Sequence, residues 1–425
     1  MIILLYLYMF SSLLFVSSFS LFKAIILGLL VLNAFRLEST LSLQGKDALV
    51  LRSLFGFSCT GLFFILYGLV NGHPAENLIY VYFLAPLTMY LLYSCYSSRI
   101  KILRVLDIIL LSQSLLLIIN FGIIIYPTFF SLIANYLYGS SKLGLNLGEY
   151  GSVADLELLE LSNPSLPSVF YLCIILTTLI IQYSRLPIHH RREVLSFAGN
   201  LRFAFVLILC SLGFILILLV NRRALSIVLC TQTVVQLLLP LFIFPFKTLH
   251  SRSPKISFKA LMVIPLLSLF CFFVFRSSYA SNTLINILFA LDLSQESSRV
   301  FQFHQLTSYW LESPIIGWGL GASVPNYIRS LTHPWSYELA NIALLFQIGI
   351  LGGSLYLLNI LTILKFCLSS LKIVPVSQSL LAVALLCGSL SLLLINNTNP
   401  YLAKSDFIFL FFLPLLLSNV RLSRS

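Results

Sequence analysis

Charge is what this sequence has least of. Asp, Glu, Lys and Arg make up 9% of its 425 residues, where a soluble domain carries about 25%. With 59% hydrophobic residues and a mean hydropathy of +0.99, too little polar surface remains to cover a water-soluble globule of this size. A cytosolic enzyme, a secreted domain and a disordered chain are excluded, and lipid is the solvent for most of the chain. Other absences narrow the chemistry. There is no C-x-x-C, and the eight cysteines lie in apolar runs with no histidine at metal-ligand spacing, so they read as small buried hydrophobes. The opening MIILLYLYMF has no basic stretch before it and no small-residue cleavage site after it, so it reads as a first span and not as a removed signal. No internal repeat is visible.

What is present is a series of apolar runs bounded by polar punctuation. They predict helices near 2–20, 24–35, 48–70, 78–97, 105–125, 169–184, 203–220, 224–246, 260–275, 338–360, 378–395 and 406–420. The expected fold is all-α: one polytopic transmembrane bundle over residues 1–425, with about 11–12 spans at ~20 apolar residues each. The long segment 276–337 is its one large non-membrane loop, expected to contain short helices.

The excess of 26 Lys+Arg over 14 Asp+Glu gives a net charge of +12. In a soluble protein that would suggest nucleic acid; in a membrane protein it is what orientation requires, because Lys and Arg collect on the cytoplasmic side. Segments 98–104, 185–202, 247–259 and 365–372 and the tail are basic, which assigns them and both termini to the cytoplasm. His189-His190-Arg191-Arg192 falls in this set and reads as a solvated charge run that touches lipid headgroups. The intervening loops face outward: 71–77 has no Lys or Arg, and 126–168 has Lys142 against Glu149, Asp155, Glu157 and Glu160. Two outward elements break the rule, the hairpin with Arg222 and Arg223 and the segment 276–337 with Arg276, Arg299 and Arg329. Cations placed against the orientation bias call for another reason, and a bound anion is the obvious one.

The densest stretch runs from Arg299 to Gly353. Val300, Phe303, His304, Thr307 and Trp310 recur at helical spacing, which predicts a short amphipathic helix at the outer surface. Glu312-Ser313-Pro314 ends it, since the residue before a proline avoids helical backbone. Gly317, Gly319 and Gly321 then alternate around Trp318, a pattern that lets backbone approach a ligand or another helix closely. As a phosphate-cradling loop this is weak, with no strand before it and no Gly-Lys-Ser/Thr after it; a tightly packed turn is the plainer reading.

Arg299, Trp310 and the run Pro314-Ile315-Ile316-Gly317-Trp318-Gly319-Leu320-Gly321, followed by a span carrying Gln347-Ile348-Gly349-Ile350-Leu351-Gly352, resemble the signature of the O-antigen ligase and polymerase family. These are bacterial integral membrane glycosyltransferases of the GT-C type. Asn221-Arg222-Arg223-Ala224-Leu225 is similar to the family's arginine turn, and Asn396-Asn397-Thr398-Asn399-Pro400-Tyr401 also fits the pattern. The resemblance covers about 220–420; the first half matches only as generic spans. It departs at one place: the family's His-Asn position falls on Glu338-Leu339.

The resemblance implies transfer or polymerisation of a polyprenyl-pyrophosphate-linked glycan onto a glycan or lipid acceptor, at the outer face of the cytoplasmic (inner) membrane, without a cofactor or a nucleic acid. Such transfer needs the diphosphate leaving group stabilised, by a metal or by fixed cations. No acidic pair suits a metal near the motif, whereas Arg299, Arg222 and Arg223 are available and guanidinium forks match phosphate. Arg222 aligns with the family arginine, and interfacial snorkelling is the alternative for both hairpin arginines. A carboxylate or a neutral imidazole can take the acceptor proton, which makes Glu338 the expected base and His333 the reserve. Glu338 is equally a favourable charge at a helix N-terminus. Trp310, Trp318, Trp335, Tyr337, Gly317 and Gly319 are the further candidates for holding substrate; an aromatic belt at the interface explains the three tryptophans as well. A glycolipid transporter or flippase and a catalytically silent relative are the competing readings, the first disfavoured by the scarcity of mid-span charge.

Overall fold

The computed structural model describes residues 2–16, 19–38, 46–96, 100, 102–126, 129, 133, 144–146, 160–162, 165–185, 200–219, 228–229, 232, 297–325, 327, 333–370, 376–396 and 400–417. The predicted spans 224–246 and 260–275 lie outside these residues, apart from the isolated positions 228, 229 and 232.

Helices form where the apolar runs are. They are α1 (Ile2–Leu14), α2 (Ser20–Glu38), α3 (Lys46–Val70), α4 (Ala85–Tyr96), α5 (Ile102–Ile125), α6 (Leu166–Arg185), α7 (Asn200–Leu219), α8 (Ser297–Glu312), α9 (Ala340–Ser370), α10 (Val376–Ile395) and α11 (Ser405–Leu417). A π-helical turn, Tyr80–Leu84, leads into α4. The only sheet among the described residues is one antiparallel ladder, β1 (Gly144–Asn146) with β2 (Glu160–Ser162). Among the described residues, four helices contain stretches long and apolar enough to cross a membrane, Leu49–Val70, Arg104–Ile125, Leu166–Tyr183 and Ala340–Leu368, and five shorter apolar helices accompany them. This is a helical membrane protein.

The run predicted at 24–35 is longer, because Lys23 does not end the helix but is buried in it. Its ammonium meets both carboxylate oxygens of Asp406 at 2.8 Å and donates to the Phe15 carbonyl at 2.8 Å. The two side chains are only 7% and 2% exposed. A lone charge there would cost several kcal/mol, so each needs the other.

Helices α3 and α9 pack antiparallel, with Gly56 against Asn359 and Phe64 against Gly352. Phe57 of α3 meets Tyr356 of α9 edge-on at 4.3 Å, while Gly68, near the other end of α3, abuts Leu320. Tyr171 of α6 lies across Gly388 of α10, and its hydroxyl and that of Ser389 donate to the Leu410 carbonyl of α11 at 3.2 and 3.4 Å. Small residues and cross-helix hydrogen bonds of this kind supply association where lipid offers no hydrophobic drive. The Lys23–Asp406 pair, the Gly68–Leu320 contact and the bond from Asn396 Nδ2 to Asn341 Oδ1 (2.8 Å) gather at one end of the bundle. That end is the one to which the charge pattern assigns the outward loops. The bond from Asn33 Nδ2 to the Tyr96 hydroxyl lies at the other.

Candidate functional site

The site is built from α8 downward. The predicted amphipathic helix forms over Ser297–Glu312 and stops before Ser313-Pro314, as expected. Gln302 and Leu306 face inward, and Leu306 joins Ala322, Val324, Tyr337, Ala343 and Phe346 in a small second core beneath the helix. Arg299 lies one turn before Gln302 on α8. Gln302 is 1% exposed, and its Oε1 accepts the backbone N–H of Leu339 at 2.9 Å. An opening helix turn leaves its N–H groups without intrahelical partners, so Gln302 caps the entrance to α9 from a different helix. The helix that carries Arg299 is thereby held against the segment that carries Glu338.

The glycine turn that follows α8 is set into α9. Ser313 closes it by donating its hydroxyl to the Gly317 carbonyl at 2.9 Å. Inside α9, Gly349 has φ 63° and ψ −173°, which breaks the helix. The N–H groups of Ile350 and Leu351 donate to Pro314 and Ile315 carbonyls at 2.9 Å instead of to Phe346 and Gln347. The freed Phe346 and Gln347 carbonyls accept from Trp318 (3.2 Å) and Gly319 (2.8 Å), and Leu320 donates to Phe64 of α3 at 3.0 Å. Every backbone group displaced by the break finds a partner, as a membrane environment demands. The fit needs glycine: Gly317, Gly319 and Gly321 have φ of 74°, 95° and 89°, and a Cβ on Gly319 would collide with the Gly68 backbone. The close approach that Gly317 and Gly319 allow is to α9 and α3, the packed-turn alternative of the sequence reading.

The remaining candidates fall around this turn. Trp318 is half-buried, and its indole N–H donates to the Tyr309 carbonyl at 2.8 Å. Trp310 packs on the second core, its indole nitrogen buried without a partner among the described residues. Tyr337 is buried, accepts the Val324 N–H at 2.6 Å and stacks with Tyr327 at 6.3 Å; burial pushes its hydroxyl up from 10.0. Exposed His333 lies 5.5 Å from the ring of Trp335. Glu338 is half-buried at the threshold of α9, and its carbonyl accepts from Ala340 at 2.9 Å. Arg222 and Arg223 lie outside the described residues.

The outer segments converge on a cavity of about 40 Å³ lined by Tyr82, Trp335, Tyr337, Gln347, Asn396 and Leu402 among others. Gln347 Nε2 donates to the carbonyls of Ala322 (3.0 Å) and Trp335 (3.4 Å). Asn396 Oδ1 accepts from Leu402 N–H at 2.9 Å, which fixes the chain before α11. The loop after α3 closes the flank: Asn71 donates to the Trp318 carbonyl at 3.3 Å. Burial lowers the His73 imidazole below 6.5, opposed in part by the same carbonyl. Gln302, Asn341 and Tyr82 were not singled out from the sequence, and Gln347 was read only as part of the Gln-Ile-Gly motif, not as a lining residue. An amide inside an apolar run, as in LLFQIG, was the available signal.

Comparison of the chain with protein-family models and with curated proteins finds no match.

Proposed function

We propose that this chain is a bacterial membrane glycosyltransferase of the O-antigen ligase and polymerase type, transferring or polymerising a polyprenyl-pyrophosphate-linked oligosaccharide at the outer face of the cytoplasmic membrane. The single observation that carries the reading is the Gln302–Leu339 bond. It holds the helix with Arg299 against the threshold with Glu338, next to an aromatic and amide-lined cavity. The topology that belongs to this reading has about 11–12 spans, both termini in the cytoplasm and 276–337 as the periplasmic loop.

The acceptor hydroxyl attacks the anomeric carbon of the donor, forming a new glycosidic bond. The bond from that carbon to the diphosphate breaks, and the polyprenyl diphosphate leaves with the electron pair. Arg299, with Arg222 and Arg223 of the outward hairpin, neutralises the growing charge in place of a metal, and the Glu338 carboxylate takes the hydroxyl proton. The test is to supply the protein in vesicles with a radiolabelled polyprenyl-pyrophosphate oligosaccharide and size the products. A ladder identifies a polymerase and a single addition a ligase; unchanged donor in the presence of acceptors of both kinds defeats the proposal.

One observation favours a second reading, a glycolipid transporter. The buried Lys23–Asp406 pair is an ionisable couple at the outward end of the bundle, and buried ionisable groups in membrane proteins recur along ion and substrate pathways. Gradient-driven movement of labelled glycolipid across sealed vesicles, without elongation, would establish it.

A further inference from the structure

We infer that the cavity under Trp335 binds an uncharged substituent of the glycan, a hydroxymethyl or acetamido group, with Gln347 and Tyr82 as its hydrogen-bond partners. One side-chain acceptor in its wall is left over. Gln347 is 4% exposed, and its Nε2 is used on the Ala322 and Trp335 carbonyls. Its Oε1 has no partner among the described residues. An unpaired acceptor on a side chain this little exposed, in the wall of a cavity, calls for an O–H or N–H from what enters it. The Tyr82 hydroxyl, on the same lining, is also without a hydrogen-bond partner among the described residues. It is presented by the π-helical turn Tyr80–Leu84, an irregularity that recurs at functional sites.

Size and charge select the ligand. A cavity of about 40 Å³ holds roughly three water-sized groups at ~10–15 Å³ each, enough for a short substituent and too small for a pyranose ring. Among the described residues no charged side chain lines it. A carboxylate or a phosphate would be desolvated there without a counter-charge. Apolar walls from Leu78, Ala343 and Leu402 suit the methylene or methyl of the substituent, while Trp335 at the lining offers its ring to the sugar. Tyr337, which lines the cavity, is followed directly by Glu338, so an acceptor anchored here is held next to the segment that carries that carboxylate. The inference rests on the glycosyltransferase reading for the reaction it serves, and the binding itself can be measured without turnover.

The experiment uses the full chain in lipid nanodiscs and ligand-observed saturation-transfer NMR. The probes are the neutral oligosaccharide released from its lipid carrier by mild acid and, separately, inorganic pyrophosphate. The wild type gives a signal with the free glycan that pyrophosphate does not displace. Tyr82→Phe, which removes one oxygen, and Gln347→Met each weaken glycan binding about tenfold, the effect of one lost hydrogen-bond partner. Should Gln347→Met fail to insert, Tyr82→Phe decides. Three results overturn the inference: no signal in the wild type, equal binding in the variants, or displacement by pyrophosphate. Transfer activity measured in parallel separates the two claims. Transfer without cavity-dependent binding defeats this inference alone, and cavity-dependent binding without transfer defeats the glycosyltransferase reading alone.

Discussion

Gln302 of α8 accepts the backbone N–H of Leu339 at 2.9 Å, a bond that spans 37 residues of chain and joins the surface helix to the entrance of α9. Replacing Gln302 with Leu leaves a buried donor unpaired, at a cost of about 1–3 kcal/mol. Gln302→Leu is expected to lower glycan transfer more than tenfold while the protein still inserts. Gln302→Glu keeps an acceptor oxygen and is expected to retain most of the activity. Equal activity in Gln302→Leu and the wild type would remove the bond from the argument.

Arg299→Ala and Glu338→Gln are expected to abolish elongation or transfer with normal membrane levels of protein. Full activity in both, measured with radiolabelled donor, would end the assignment of a cation and a base to these positions.

Gly319→Ala and Gly349→Ala place a Cβ against backbone at positive φ, 95° and 63°. Neither the Gly68 backbone nor the Ile315 carbonyl can yield as a flexible side chain would. Each substitution is expected to cost about 3 kcal/mol, seen as a lowered thermal midpoint in nanodiscs. Gly353→Ala, with a neighbour no nearer than 3.5 Å to its added Cβ, is the control that should leave the midpoint unchanged.

Lys23→Met alone takes the ammonium from the buried Asp406 carboxylate and is expected to destabilise by about 3–5 kcal/mol. The double variant Lys23→Met, Asp406→Leu removes both charges and is expected to recover most of that loss. Thermal unfolding of the three proteins checks it; a double variant no better than the single one refutes the idea that stranded charge is what matters.

His73 supplies the pH dependence. Its imidazole is held below 6.5 in the folded protein by burial, so the unfolded chain binds more protons as the pH drops. Stability is therefore fully present above 6.5 and is lost as the pH falls toward the depressed folded value. His73→Gln is expected to flatten the fall in thermal midpoint between about pH 7 and 5; an unchanged slope contradicts the sign.

Much of the bundle was legible because apolar runs and their punctuation are local. The stop of α8 at Glu312 and the tight glycine turn follow from proline and glycine alone. What was not legible is what depends on a distant partner. Gly349 belongs to the Gln-Ile-Gly motif, but nothing local marks it as a break, and it interrupts α9 only because Pro314 and Ile315 offer carbonyls to the displaced N–H groups. Lys23 looked like a boundary between two spans, since nothing near it in the chain names Asp406. Gln302 looked like one polar residue among several on a surface helix. Its burial is set by Leu339, and its role could be read only once the two elements were side by side. Glu338 was found by counting from Gln347, a local measure, and its placement beside α8 is what the chain order could not give.

The pairing of Lys23 with Asp406 also sets a timetable for biogenesis. The two residues are 383 positions apart, so at ~5–20 residues per second the ammonium waits roughly 20–80 s for its counter-ion to be synthesised. Until α11 emerges, the first hairpin carries a cation without its carboxylate partner, which disfavours its settling into the bundle. Locking of the nascent protein is thereby deferred to the arrival of α11.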